Sequence, residues 1–98
     1  MTAYVIAEVE VTDPEAYKAY QALVPPSLAR HGGRFLARGG RTEPLEGAPP
    51  ATRIVILEFE SVDAAKRWYD SPDYSEALAI RKKSAKSRLF IVEGAPPG

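Results

Sequence analysis

Apolar and polar side chains alternate along residues 3–11, where Val5, Ala7, Val9 and Val11 interleave with Tyr4, Ile6, Glu8 and Glu10, and the β-branched content favours a pleated chain. This stretch predicts a strand. Thr12-Asp13-Pro14-Glu15 follows: Asp13 suits an N-cap, Pro14 has the φ of a first helical residue, and Glu15 complements the helix dipole. The helix predicted from there carries an apolar line through Tyr17, Tyr20, Val24, Leu28 and His31, at spacings of three and four. Pro25-Pro26 falls inside it, so two helical pieces meeting near Val24 are expected, with His31-Gly32-Gly33 as the stop.

Residues 34–38 read as a short strand ended by Gly39-Gly40, a pair suited to a bulge or sharp bend. A long Gly- and Pro-rich connection over residues 39–52 follows, with an extended arm expected at 41–45. The apolar run 54–59 predicts a third strand, and Ser61 caps a helix over 62–70. Ser71-Pro72-Asp73 repeats the capping grammar, so a further helical piece runs from 72 to about 83 with Tyr74, Leu78 and Arg81 on one side, the two pieces forming one bent element. Residues 88–93 make the last strand, and 94–98 form a tail. The order is strand, helix, strand, strand, helix, strand. It specifies an α+β, ferredoxin-like βαββαβ domain over residues 1–98, a four-stranded antiparallel sheet with both helices on one face.

Sorting strand positions by parity separates two faces. Val5, Ala7, Val9, Val11, Phe35, Ala37, Val55, Leu57, Phe59, Leu89 and Ile91 form an apolar set assigned to the helix side. The other set holds Tyr4, Ile6, Leu36, Ile54, Ile56, Phe90 and Val92 beside Glu8, Glu10, Arg34, Arg38, Glu58 and Arg88. So many large apolar side chains beyond the reach of the helices predict a homodimer through that face, giving a dimeric α+β barrel with Glu–Arg pairs at the interface edges. The competing reading is an open monomeric sheet screened by long Arg and Glu stems.

Composition removes several classes of function. Thirteen basic against thirteen acidic residues leave no net charge, which disfavours nucleic acid as a partner. No cysteine is present, so disulfides, thiolate metal sites and thiol nucleophiles are excluded, and one histidine gives no His-rich metal cluster. Asparagine is also absent, so there is no N-glycosylation acceptor. The chain enters its first strand without a signal-type start and holds no membrane-spanning apolar run, so a cytoplasmic location with no membrane partner is expected. No phosphate loop, nucleophile elbow or His-Glu-x-x-His occurs, and neither a cofactor nor a metal is expected.

Three groups could carry chemistry. His31 titrates near neutrality and is a candidate general base, against a capping role in the last helical turn. Trp68, Tyr69 and Tyr74 gather at the bend between the C-terminal helical pieces, and Tyr17 and Tyr20 lie on the first helix. Together they could line a pocket of several hundred Å³ bounded by Tyr20, Trp68 and Tyr74 for a small ligand, against simple core packing. Arg38, beside Gly39-Gly40, could hold a carboxylate or enolate in a constellation with Arg34, Glu8 and Glu58, against plain ion pairing. On this reading His31, Tyr74 and Arg38 are the catalytic candidates, with protons moved by Tyr74 or His31. Tyr17, Tyr20, Trp68, Tyr69 and Glu58 are the ligand-binding candidates.

Val11-Thr12-Asp13-Pro14-Glu15-Ala16-Tyr17, residues 32–40 (GGRFLARGG), Glu58-Phe59 with Ser61, Trp68-Tyr69-Asp70-Ser71-Pro72-Asp73-Tyr74 and Val92-Glu93-Gly94 together resemble the domain of unknown function 1330 family, within the dimeric α+β barrel superfamily. The resemblance spans nearly the whole chain and implies a barrel-type dimer, but no agreed reaction. The spacing of Trp68, Tyr74 and Arg88 is similar to that of the superfamily's cofactor-independent quinone-forming monooxygenases. The Asn expected one turn before the tryptophan is Ala64 here, and parity turns Arg88 away from the helices. The functional expectation is a homodimer binding a small, partly apolar or aromatic carboxylate or phenol, with metal-free isomerisation or cofactor-independent oxygenation as the chemistry. The alternative is a non-catalytic binding or assembly module.

Overall fold

Strand alternation governs the architecture. In a computed structural model that describes residues 2–96, the elements run β1 (Ala3–Val11), α1 (Pro14–Arg30), β2 (Arg34–Arg38), β3 (Arg53–Phe59), α2 (Val62–Asp70), α3 (Pro72–Ser84) and β4 (Ala85–Glu93). Met1, and Pro97 and Gly98 of the expected tail, lie outside the described residues. The strands form one antiparallel sheet in the order β2-β3-β1-β4, the ferredoxin-like arrangement. Ala3, Val5, Ala7 and Val9 of β1 are buried under the helices with Leu57 and Phe59 of β3. On the opposite face Leu36, Phe90 and Val92 are 47%, 42% and 46% exposed.

Trp68 joins the layers. Its ring packs 5.4 Å from Phe59 of the sheet and 4.2 Å from Tyr74 of α3, and its Nε1 donates to Ser27 Oγ of α1 at 3.0 Å. Ser71 closes α2 and opens α3 at once: its Oγ donates to the Trp68 carbonyl at 2.7 Å and accepts from the Tyr74 amide at 3.3 Å. The two C-terminal helical pieces are therefore hinged on one buried hydroxyl.

Four local expectations are corrected. First, α1 is a single helix rather than two pieces meeting near Val24. Pro25 and Pro26 lack amide hydrogens and so free the Gln21 and Ala22 carbonyls, but neither ends the helix. Gln21 O receives Arg38 Nη2 at 3.5 Å, and Ser27 Oγ donates to Val24 O at 2.7 Å. Second, β4 starts at Ala85, three residues before Arg88, because α3 passes straight into the sheet and the small side chain of Ala85 is buried opposite Val11. Third, residues 41–45 join no strand of the sheet, and Leu45 is 97% exposed.

The fourth correction concerns parity. Phe35 stands opposite Leu57, whereas Ala37 stands opposite Ile56 and Arg38 opposite Val55. Leu36 is the extra residue of a bulge, and beyond it the pleat reverses. Ala37 thus leaves the helix-side set, and Arg38 enters it.

Gly33 follows the left-handed Gly32 (φ 70) at the end of α1, and a Cβ on it would meet Phe59 Cε1 at 2.6 Å and Leu28 Cδ2 at 2.9 Å. Both neighbours are core side chains with little room to yield. Gly33→Ala is expected to cost about 1–3 kcal/mol, lowering the thermal midpoint by roughly 4–8 °C per kcal/mol. A thermal melt of the variant checks this; an unchanged midpoint contradicts the packing described.

Candidate functional site

The residues under α1 and α3 bring three guanidinium groups to an aromatic interior. Arg38 arrives through the bulge, its Cζ 4.2 Å from the Phe35 ring centroid. Arg53 opens β3, stacks 6.0 Å from the Tyr17 ring centroid and donates to the Arg38 carbonyl at 3.4 Å. Gly39, at φ +71, lets it lie there, because a Cβ at that position would overlap the Arg53 guanidinium. Arg81 descends from α3, is only 5% exposed, and donates to Ser87 Oγ of β4.

Arg81 is the unusual member. Among the described residues no carboxylate pairs with it, and its Nε, like that of Arg53, is buried with no hydrogen-bond partner. Burial works against its charge, but the facing Tyr74, Tyr20 and Tyr69 outweigh that effect and raise its pKa above the ordinary guanidinium value. Arg81 therefore stays cationic. A buried cation held only by neutral hydroxyls is poised to take an anion, because the desolvation cost is already met by the fold.

A small cavity and an open cleft meet at Arg81, and a second cleft lies beyond it along β4. The small cavity, between the sheet and α1, is about 30 Å³ and is lined by Tyr17, Tyr20, Trp68, Arg38, Arg53 and Arg81 among others. That is room for about one water. The expected pocket of several hundred Å³ is thus corrected: the core there is filled, and Tyr74 is fully buried within the aromatic stack and does not line the cavity. The open space lies instead along β4. A cleft of about 270 Å³ between α3 and β4 is lined by Tyr69, Arg81, Lys82, Ala85, Ser87 and Leu89. A larger one of about 410 Å³ continues between α2 and β4.

The other candidate residues separate. Tyr20 and Tyr74 share a hydroxyl hydrogen bond of 2.9 Å, and Tyr17 stacks 5.2 Å from Tyr20. Tyr69 packs 5.7 Å from Tyr74 and forms a wall of both clefts. His31, in contrast, caps α1 and lies 3.1 Å from Asp73 at the start of α3, with Arg30 2.7 Å from the same carboxylate. Hydrogen bonds from Arg30 and then His31 hold the Asp73 carboxyl below its ordinary range. His31 lines none of the three spaces, so the general-base expectation has no geometry behind it. Glu58 pairs with Arg34 at 2.6 Å on the open sheet face, not with Arg38. Arg88, on that same face, grips Glu8 through two hydrogen bonds of 3.1 and 3.0 Å.

Arg81, Arg53 and Ser87 were missed as site residues. The spacing puts Arg81 on one side of its helix with Tyr74 and Leu78 and gives it no role. A signal was available: Arg81, Lys82, Lys83, Lys86 and Arg88 fall between Glu76 and Glu93 with no acid among them. The neutral total hides this local excess of positive charge.

Burial, then the Tyr74 hydroxyl, raises the Tyr20 pKa far above its ordinary 10.0, with Arg81 opposing. The folded chain therefore holds this proton more tightly than the unfolded chain. That contribution is complete below about pH 10 and is lost as pH rises past it. Tyr20→Phe should be less stable than the parent at neutral pH by about 1 kcal/mol, through the lost hydroxyl bond. The gap should narrow in urea unfolding above about pH 10; a gap independent of pH refutes the assignment.

The family model for Domain of unknown function (DUF1330) matches residues 2–95. No curated protein matches the sequence. Among solved structures, the RPA0582 protein of unknown function from Rhodopseudomonas palustris is 25% identical, with a TM-score of 0.75 over 98% of this chain and 84% of that one. A dimeric ferredoxin-like protein of unknown function from Jannaschia sp. CCS1 is 12% identical, with a TM-score of 0.73 over 96% of this chain and 100% of that one. SnoaB, a cofactor-independent oxygenase from Streptomyces nogalater, is 13% identical, with a TM-score of 0.66 over 98% of this chain and 95% of that one. The last two likenesses show the fold alone. Matched along almost its whole length, and built on the ferredoxin-like fold, this chain belongs to the DUF1330 family.

Proposed function

We propose that the protein is a cytoplasmic homodimer in which each protomer binds a small, partly apolar or aromatic carboxylate or phenolate in the cleft between α3 and β4. The observation that carries this reading is Arg81: a guanidinium 5% exposed, with no carboxylate partner among the described residues, at the wall of an open cleft. Lys82 stands beside it at the cleft, and Lys83 and Lys86 are exposed nearby in the chain, so an incoming anion meets a positive field. Tyr69 and Leu89 offer the flat apolar walls that a ring would need. A cytoplasmic setting suits a chain without cysteine in which, among the described residues, no helix is long and apolar enough to cross a membrane.

The proposed dimer rests on the uncovered sheet face. Ile56, Ile6 and Phe90 lie side by side across β3, β1 and β4, with Leu36 of the bulge beside them. The Arg34–Glu58 and Arg88–Glu8 pairs flank this band. A second copy docked isologously would bury the band at about 25 cal/mol per Å² of apolar area. That the relative from Jannaschia is dimeric supports this assembly.

If the ligand is also a substrate, Arg81 is the group suited to hold developing negative charge. The Tyr20 hydroxyl, whose proton burial holds tightly, is unsuited to act as a base at neutral pH. Chemistry of that kind is metal-free isomerisation or the cofactor-independent oxygenation known for SnoaB. A non-catalytic binding role is the second reading, favoured by the filled core: the small cavity of about 30 Å³ admits no ring beside Tyr20.

Two experiments test these readings. Benzoate or phenol at a hundred times its dissociation constant should stabilise the protein by roughly 2.7 kcal/mol in a thermal shift, and Arg81→Met should abolish the shift. Uniformly null shifts with the parent protein overturn the ligand reading. Sedimentation at micromolar concentration should give a dimer, with Ile6→Arg folded but monomeric; a monomeric parent protein overturns the assembly.

A further inference from the structure

The cleft that holds Arg81 does not end at a single ring. Tyr69 and Leu89 line both it and the larger space between α2 and β4, so the two compartments adjoin beneath the helices. Their chemistry differs. The smaller, about 270 Å³, presents Arg81, Lys82 and the Ser87 hydroxyl. The larger, about 410 Å³, is walled by Val5, Ala65, Trp68 and Ile91. Its charged liners, Lys66 and Asp70, are exposed one helical turn apart and opposite in sign, so they add no net field. A cationic compartment joined to a larger apolar one is complementary to a molecule with one acidic end and an extended apolar body. A benzoate-sized acid anchored at Arg81 would leave the α2–β4 compartment to water.

We infer that the ligand is an elongated amphiphilic monoacid, its carboxylate at Arg81 and its apolar body, longer than one aromatic ring, running past Tyr69 and Leu89 into the α2–β4 compartment. The inference rests on the proposed acid-binding cleft for its charged end and adds the length and polarity of the other. A straight alkyl chain and a fused-ring system share this chemistry, and the test separates them.

The test titrates the full-length protein with butanoate, hexanoate and octanoate, and in parallel with benzoate and 2-naphthoate, by calorimetry. Affinity should rise about fourfold for each methylene that enters the compartment, giving roughly two orders of magnitude between butanoate and octanoate. A gain with 2-naphthoate over benzoate, but none along the alkyl series, would support the same inference and identify a fused-ring body. Ala65→Leu narrows the far compartment and should flatten the length dependence while leaving butanoate unchanged. Ile91→Trp does the same from the half-buried edge strand, should the buried Ala65 site fail to accept a larger side chain. Equal affinity for short and long acids overturns the inference while the acid-binding cleft stands. Failure of every acid to bind removes the cleft itself. Octanol binding as tightly as octanoate overturns the assignment of the head group to Arg81.

Discussion

The fold depends on one side chain being completed by three neighbours. Trp68 donates its hydrogen bond to α1 and packs its ring, tilted, against the α3 tyrosine and the sheet phenylalanine. At 1% exposure it buries one of the largest apolar surfaces in the chain. Its indole N–H would be costly to leave unpaired there, and Ser27 Oγ, itself tied to the helix backbone, satisfies it. Because each partner lies on a different element, the stack sets the relative positions of both helical layers and the sheet. Ser71, closing the turn that carries Trp68 and opening the one that carries Tyr74, makes this arrangement local in sequence as well as in space.

The binding machinery is built outward from that stack. Tyr74, clamped against Trp68, offers its hydroxyl to Tyr20, and the Arg81 guanidinium faces both tyrosines. The guanidinium keeps its charge, and it is phenolic oxygens rather than carboxylates that face it. Had a glutamate stood there, the pair would be internally neutral and an anionic ligand would have to displace it. Positive charge without a built-in counter-ion is what distinguishes this position from the Arg34–Glu58, Arg88–Glu8 and Arg30–Asp73 pairs on the surface.

The bulge at Leu36 and the paired prolines act together on the opposite side of the core. Removing two helical amides leaves a carbonyl at Gln21 in need of a donor, and the register shift delivers Arg38 to it. Arg53 then fits against Gly39, where any larger residue would collide with it. A helix that should have broken runs on, and one of its freed carbonyls receives an arginine from a strand that should have pointed it outward.

Much of this was legible in the residues themselves. Periodicity and capping chemistry are local, so the strand of alternating valines, the Asp13 and Ser61 caps and the shared cap at Ser71 could be read directly, and with them the element order and the helix-side face of three strands. The uncovered apolar band of Ile6, Ile56 and Phe90 followed from the same alternation. What the chain could not disclose were the contacts that override local rules. A one-residue slip in pairing is invisible without the partner strand, so Arg38 was assigned to the wrong face and Arg34–Glu58 to a constellation with it. The donor that Arg38 offers to α1 beside Pro25-Pro26 comes from another element. His31 looked like a base because titration is a property of the residue, whereas its neighbour Asp73 is a property of the fold. Arg81 shares a helical side with Tyr74 and Leu78 in the sequence, but only the packed structure shows a charge buried with no carboxylate partner among the described residues, because the lack of a counter-ion becomes visible only when every neighbour has been placed.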